Sequence, residues 1–278
     1  MIKAIFYEGD YDRKIVEKVL EGITPLPMPI RANSKYGMKS FIQGYLEGHK
    51  VQKLNDSEVI AFRDRDFDYP VPSEVQLIIP DDSSGHPDKK IRVGYRTTIE
   101  NYLLNHVAFF AYCQATPKYQ KLFCSEAATK TAFDNAARKI LAYQAARHAL
   151  GAMRVVADQE TKLTSDSGKL PEDLSQDSCR EACERLINEY SAKLKDYTVK
   201  EFNNHYEQFF LKFEKPDFTQ QALYEIYFHG KDLQAALAMD LPNTFSFKTF
   251  YQASLKNFDY TQFTDLVELR GECLKQAE

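Results

Sequence analysis

The sequence predicts an α/β fold: a parallel sheet flanked by helices, followed by a mainly α-helical C-terminal region. Three observations carry this. Short apolar runs at 2–7 (IKAIFY) and 58–63 (EVIAFR) read as buried strands. Amphipathic stretches with helical spacing separate the strand-like runs, the strand–helix–strand grammar of a parallel sheet. After about residue 105 the strand patterns stop and helical ones continue to the end.

The elements follow in order. After the first strand, Ile15, Val16, Val19 and Leu20 have helical spacing, and Gly22 is the stop. Residues 25–30 hold three prolines, which leave room only for a short strand just before Arg31. Residues 34–37 read as a loop and Met38 to Leu46 as a second helix, with Phe41, Ile42 and Tyr45 on one side. The strand at 58–63 runs directly into DRDFD, and further strands are expected at 75–79 and from Arg92 to Tyr95. Helices are expected around 105–115, 125–155, 178–212, 218–228 and 230–239, with less regular ones after 245. Residues 158–178 read as a solvated loop. The aromatics between Phe202 and Phe228 read as core rather than a base-stacking platform. Two domains result, at 1–105 and 106–278.

Composition narrows the classes. The chain has 278 residues, 44% hydrophobic and 27% charged, which excludes collagen-like and disordered chains. The longest apolar run, Val107 to Cys113, is far short of a membrane span of about 20 residues. Glu8 and Asp10 interrupt any secretory-signal pattern, and five scattered cysteines suit a reducing compartment, so a cytoplasmic location is expected. Cys179 and Cys183 read as packed thiols, since no further zinc ligands accompany them. A net charge of −4 excludes a histone-like coat but not an enzyme that grips nucleic acid locally.

The chemistry concentrates in acids at element ends. Glu8 follows the first strand, and Asp12 lies one helical turn on. Asp64, Asp66 and Asp68 follow the 58–63 strand and share one face if the chain stays extended. Glu100 opens a helical or turn segment in RTTIENYLL. Parallel topology brings the ends of the two strands to one sheet edge, the edge where ligands bind in open α/β sheets. Carboxylates that converge without His or Cys select a hard cation, Mg²⁺ or Mn²⁺, and such ions serve phosphoryl chemistry. Each acidic motif alone has an ordinary explanation, because acids favour the first turn of any helix. Their joint placement after two strands of one α/β unit is what singles them out.

The pattern of Glu8 in FYEGDYD, Gly37 in KYGMKSF, and Asp64 and Asp66 in AFRDRDFD resembles the Toprim domain, over roughly residues 1–105. That domain occurs in topoisomerases, primases, recombination proteins and OLD-type nucleases. ENYLL around Glu100 and HGKDL at 229–233 are similar to small Toprim proteins of the OLD type. The resemblance implies Glu8, Asp12, Asp64 and Asp66 as metal ligands, with Lys231 facing the scissile phosphate. It implies Glu8, Asp64, Asp66 and Lys231 as the catalytic set, with Glu100 and Asp68 as additional acids. No GxxxxGK[ST] occurs, so the ATPase usual in OLD nucleases is missing. A stand-alone Toprim chain with a helical extension resembles the effector of PARIS-type phage-defence systems. That implies a nuclease acting on RNA such as tRNA, or on DNA, controlled by a separate ABC-type ATPase, and a homodimer when active.

Lys35 and Lys39 near the second helix, and Arg96 in a basic stretch with Lys89, Lys90 and Arg92, are the candidate substrate-binding residues. Two rivals remain open. One is a catalytically silent Toprim-like binding or sensor subunit that docks on an ATPase. The other is a different DxD enzyme, a phosphatase or nucleotide-sugar transferase. A HAD-type phosphatase places its DxD after the first strand, where EGxxD stands here.

Overall fold

The computed structural model describes residues 2–32, 37–49, 58–80, 90–153, 170–191 and 198–275. The chain divides into two compact units: residues 1–65, 71–99 and 255–278, and residues 66–70 and 100–254. The boundary expected near 105 therefore moves to 99/100. Residues 66–70 belong to the second unit, and the C-terminal segment returns to the first.

The first unit holds a four-stranded parallel sheet in the order β2-β1-β3-β4: β1 (Ala4–Tyr7), β2 (Met28–Arg31), β3 (Val59–Arg63) and β4 (Ile91–Val93). The two central strands are buried along their whole length, as continuous apolar runs in a parallel sheet require. β1 leads through α1 (Asp10–Leu20) to β2, and β2 leads back through α2 (Met38–Gly48) to β3. These crossovers run in opposite directions, so right-handed connections place the two helices on opposite faces. Ala4, Phe6, Val59 and Ala61 pack with Met38, Ile42 and Leu46 of α2. Ile15, Val16, Val19 and Leu20 are the buried stripe of α1. Each such side chain contributes roughly 1.5–3 kcal/mol by burial. Glu21 closes α1, and Gly22 takes φ +79°, a left-handed turn that suits glycine.

Residues 75–79 do not form the expected strand. Only Ile78 pairs, antiparallel to Val93, through two hydrogen bonds of 2.9 Å. The neighbouring Leu77 N–H donates instead to Glu268 Oε2, 2.5 Å away. Glu268 lies on α13 (Thr264–Leu274), which also supplies Asp265 to Tyr95 N–H at 2.8 Å and Glu272 to Arg92 at 2.6 Å.

The second unit is helical: α3 (Glu100–Leu103), α4 (His106–Ala115), α5 (Glu126–Lys139), α6 (Leu141–Ala152), α7 (Gln176–Ser191), α8 (Val199–Glu214), α9 (Pro216–Gln220), α10 (Tyr224–Tyr227), α11 (Gly230–Ala238) and α12 (Phe247–Lys256). The stretch expected as one helix over 125–155 breaks at Ile140. The stretch expected over 178–212 is two helices, with Thr198 capping the second through a 3.1 Å bond from Glu201 N–H. Residues 158–169 of the expected loop lie outside the described residues, and its last three are the start of α7. The aromatic stripe is core: Phe202, Tyr206, Phe213, Tyr224 and Phe228 are buried, and Phe213 packs edge-on against Phe228 at 5.1 Å. Cys179 and Cys183 are buried on α7. No helix among the described residues is long and apolar enough to cross a membrane.

Candidate acidic site

In the sheet unit the parallel register sets the geometry. Phe6 stands level with Ala61, and Tyr7 with Arg31. Carried on, Glu8 leaves β1 level with Arg63, one step before Asp64 leaves β3. Adjacent strands lie about 4.8 Å apart. Glu8 and Asp64 therefore emerge side by side at the C-terminal edge, both partly exposed. Beside them, exposed Arg31 pairs with Asp10 at 2.8 Å.

Asp12 is buried in the first turn of α1, and its Oδ2 accepts from Gly9 N–H at 3.1 Å. It caps its own helix with that oxygen, the ordinary use of an acid at this position. Arg65, between Asp64 and Asp66, is fully buried. Its Nε donates to the Tyr95 carbonyl at 3.1 Å and its Nη2 to Thr97 Oγ1 at 2.6 Å. That side chain anchors the end of β3 in the core.

The extended DxDxD reading is corrected. β3 ends at Arg63, residues 66–68 form a turn, and Asp66 has φ +48°. Asp64, Asp66 and Asp68 therefore do not follow one strand face. A left-handed aspartate is uncommon and costs backbone energy, which surrounding contacts must offset.

In the helical unit those contacts are visible. Phe67 lies under the Arg147 guanidinium at 4.5 Å and meets the His148 ring edge-on at 4.9 Å. Gly151 lets the turn approach: a Cβ there would lie 2.7 Å from Phe67 Cβ and nearer still to its carbonyl oxygen. Gly151→Ala is expected to force this turn outward and to cost about 1–3 kcal/mol by overpacking. Thermal unfolding of the variant checks the cost.

Glu100 opens α3 as expected and is buried. Its Oε1 lies 3.9 Å from the half-exposed Lys231 Nζ, and its Oε2 has no hydrogen-bond partner among the described residues. Lys231 stands in the first turn of α11. The neighbouring Asp232 is fully buried. It forms an ion pair with Arg147 and accepts from Gln144 Nε2 at 2.7 Å. Gln144 Oε1 in turn accepts from His229 N–H at 3.0 Å.

His229 is fully buried and stacks on Phe67 at 6.1 Å. Burial first, and the Arg147 charge second, push its pKa down from 6.5 to about 4. The sign follows. Between those two values the unfolded chain binds a proton that the folded chain does not, so stability falls as pH falls from 6.5 towards 4. Wild type is expected to lose roughly 3 kcal/mol more than His229→Gln between pH 7 and pH 4. Chemical denaturation of both proteins across that range measures the difference.

Among the substrate-binding candidates, Lys39 is exposed on α2, and Arg96 lies over the Phe263 ring at 5.2 Å. Lys35 and Lys89 lie outside the described residues. Arg92 is buried on Glu272 and is not a substrate group. Asp68 is exposed. Arg65, Arg147, His229 and Asp232 were not singled out from sequence, although HGKDL contains two of them. For Arg147 and Asp232 the signal was charge inside otherwise apolar helical spacing.

The all-carboxylate donor set has the chemistry of a Mg²⁺ or Mn²⁺ site. The arrangement does not yet supply one: among the described residues, no group of three or more His, Cys, Asp or Glu side chains is placed to hold a metal ion. A scan against protein-family models finds no match to this chain, and no curated protein matches it in sequence.

Proposed function

We propose that the chain is a Toprim-like endonuclease that cleaves phosphodiester bonds in nucleic acid. One observation carries the proposal: the β1–β3 register brings Glu8 and Asp64 out together at the ligand-binding edge of a parallel sheet. The resemblance of EGxxD, the glycine before α2 and DxD to the Toprim pattern supplies the reaction class. In this reading Glu8, Asp12, Asp64 and Asp66 serve the scissile phosphate, and Lys231 offsets charge that develops on it. Glu100 and Asp68 are accessory acids, and Lys35, Lys39 and Arg96 hold the backbone. A divalent cation belongs to the proposal on donor chemistry alone.

The same resemblance makes the chain a phage-defence effector, cytoplasmic and dimeric when active, held by an ABC-type ATPase and acting on RNA such as tRNA, or on DNA. A second reading is the silent sensor subunit, which docks on an ATPase and does not cut.

The test is cleavage of total tRNA, single-stranded DNA and plasmid with Mg²⁺ or Mn²⁺, alone and with the neighbouring ATPase if one is encoded. Metal-dependent cutting supports the nuclease. Failure to cut any substrate in either setting, with no Mg²⁺ or Mn²⁺ bound by calorimetry, leaves the sensor subunit.

A further inference from the structure

Arg147 stands at the centre of a fully buried polar group in the helical unit. Its guanidinium does two different things. It forms the ion pair with Asp232 in the first turn of α11, and its Cζ lies 4.5 Å over the Phe67 ring and 5.7 Å from the Tyr143 ring centroid. A planar, delocalised cation suits both contacts at once, and an ammonium does not. Gln144, one turn earlier on α6, joins Asp232 to the His229 N–H and so fixes the residue before Gly230 and Lys231. Asn101 Nδ2 holds the Phe228 carbonyl at 3.1 Å, one residue further back. His148 Nε2–H donates to the Tyr227 carbonyl at 2.9 Å, while its ring meets Phe67.

Two segments singled out in the sequence thus share one support. The first is the turn Asp66–Asp68, with its left-handed aspartate. The second is HGKDL. Both rest on α6, through Arg147, Gln144, His148 and the close approach at Gly151. A surface-filling role would need neither a buried charge pair nor a left-handed residue, because apolar side chains fill such a space at lower cost.

We propose that Arg147 is a positioning residue: through Asp232 and Phe67 it holds the start of α11, with Lys231, and the turn Asp66–Asp68 in one fixed arrangement. What is positioned rests on the nuclease reading; the coupling of the two segments does not. Arg147→Lys keeps a cation for Asp232 and loses the guanidinium over Phe67. Phe67→Leu removes the ring and leaves the ion pair, and serves where Arg147→Lys does not fold.

The experiment is hydrogen–deuterium exchange on the full chain, with cleavage kinetics alongside. In both variants, exchange is expected to rise about tenfold in 66–70 and in 229–238 together, and to stay unchanged in α8. On a cleavable substrate kcat falls about 10- to 100-fold, with KM within about twofold, because alignment is lost and binding is not. A rise in only one of the two segments overturns the proposal, and so does an even rise through α3 to α12. If wild type cuts nothing, alone or with the ATPase, and binds no Mg²⁺ or Mn²⁺, the nuclease reading fails, and the exchange result still decides the coupling.

Discussion

Glu8→Gln and Asp64→Asn are each expected to lower cleavage at least about a thousandfold and to leave the fold intact. Both side chains leave strands at their C-terminal ends and are partly exposed, so neither carries the core. The substitutions preserve size and remove only charge and basicity. Lys231→Met belongs to the same series. Its amine is half exposed near Glu100, so stability changes little while the positive charge is lost. Circular dichroism and thermal unfolding confirm the fold, and a gel assay on the preferred substrate reads the loss. A Glu8→Gln protein that cuts like wild type sinks the site assignment, whatever the substrate. Asp12→Asn provides an internal contrast. Its Oδ2 caps α1, so part of its effect is structural and appears in the melting temperature.

Asp232→Ala is expected to be the most destabilising single change in the helical unit, by about 3–5 kcal/mol. It leaves the Arg147 guanidinium buried without its counter-charge and takes from Gln144 Nε2 its acceptor. A loss of that size lowers the melting temperature by roughly 10 °C in a unit of this length. The double variant Arg147→Met/Asp232→Leu recovers most of it, because two apolar side chains of similar volume remove both charges together. Denaturant unfolding of the single and double variants reads the difference. A double variant less stable than Asp232→Ala shows that the pair itself, rather than the stranded charge, holds the unit.

The sheet was largely legible in the sequence, and for a simple reason. Continuous apolar runs such as AIFY and VIAFR have few other places to go in an α/β chain. Glu8, Asp64 and Glu100 were legible as well, because each ends or opens an element. The helix stops at Gly22 and the short strand before Arg31 followed from local backbone chemistry. Residues 75–79 failed as a strand: only Ile78 pairs with Val93, and the Leu77 N–H is held by Glu268, 191 positions away. No window around 75–79 contains that information.

The DRDFD segment divides the two kinds of knowledge. Its acids were visible from composition and placement, but their directions were not. Period-two alternation holds only while the chain stays extended, and Asp66, beyond the end of β3 at Arg63, turns left-handed. What makes that turn affordable is Phe67 packed on Arg147 and Gly151, contributed by a helix some 80 positions later. The sequence by itself determined most of the strand runs and helix positions and the acids at the sheet edge, because local patterning and element ends are short-range properties. The tertiary structure alone decided which way those acids turn, which charges are buried in pairs, and that the C-terminal helix joins the sheet unit. Such facts depend on contacts between residues far apart in the chain, where side-chain capture and burial outweigh local preference.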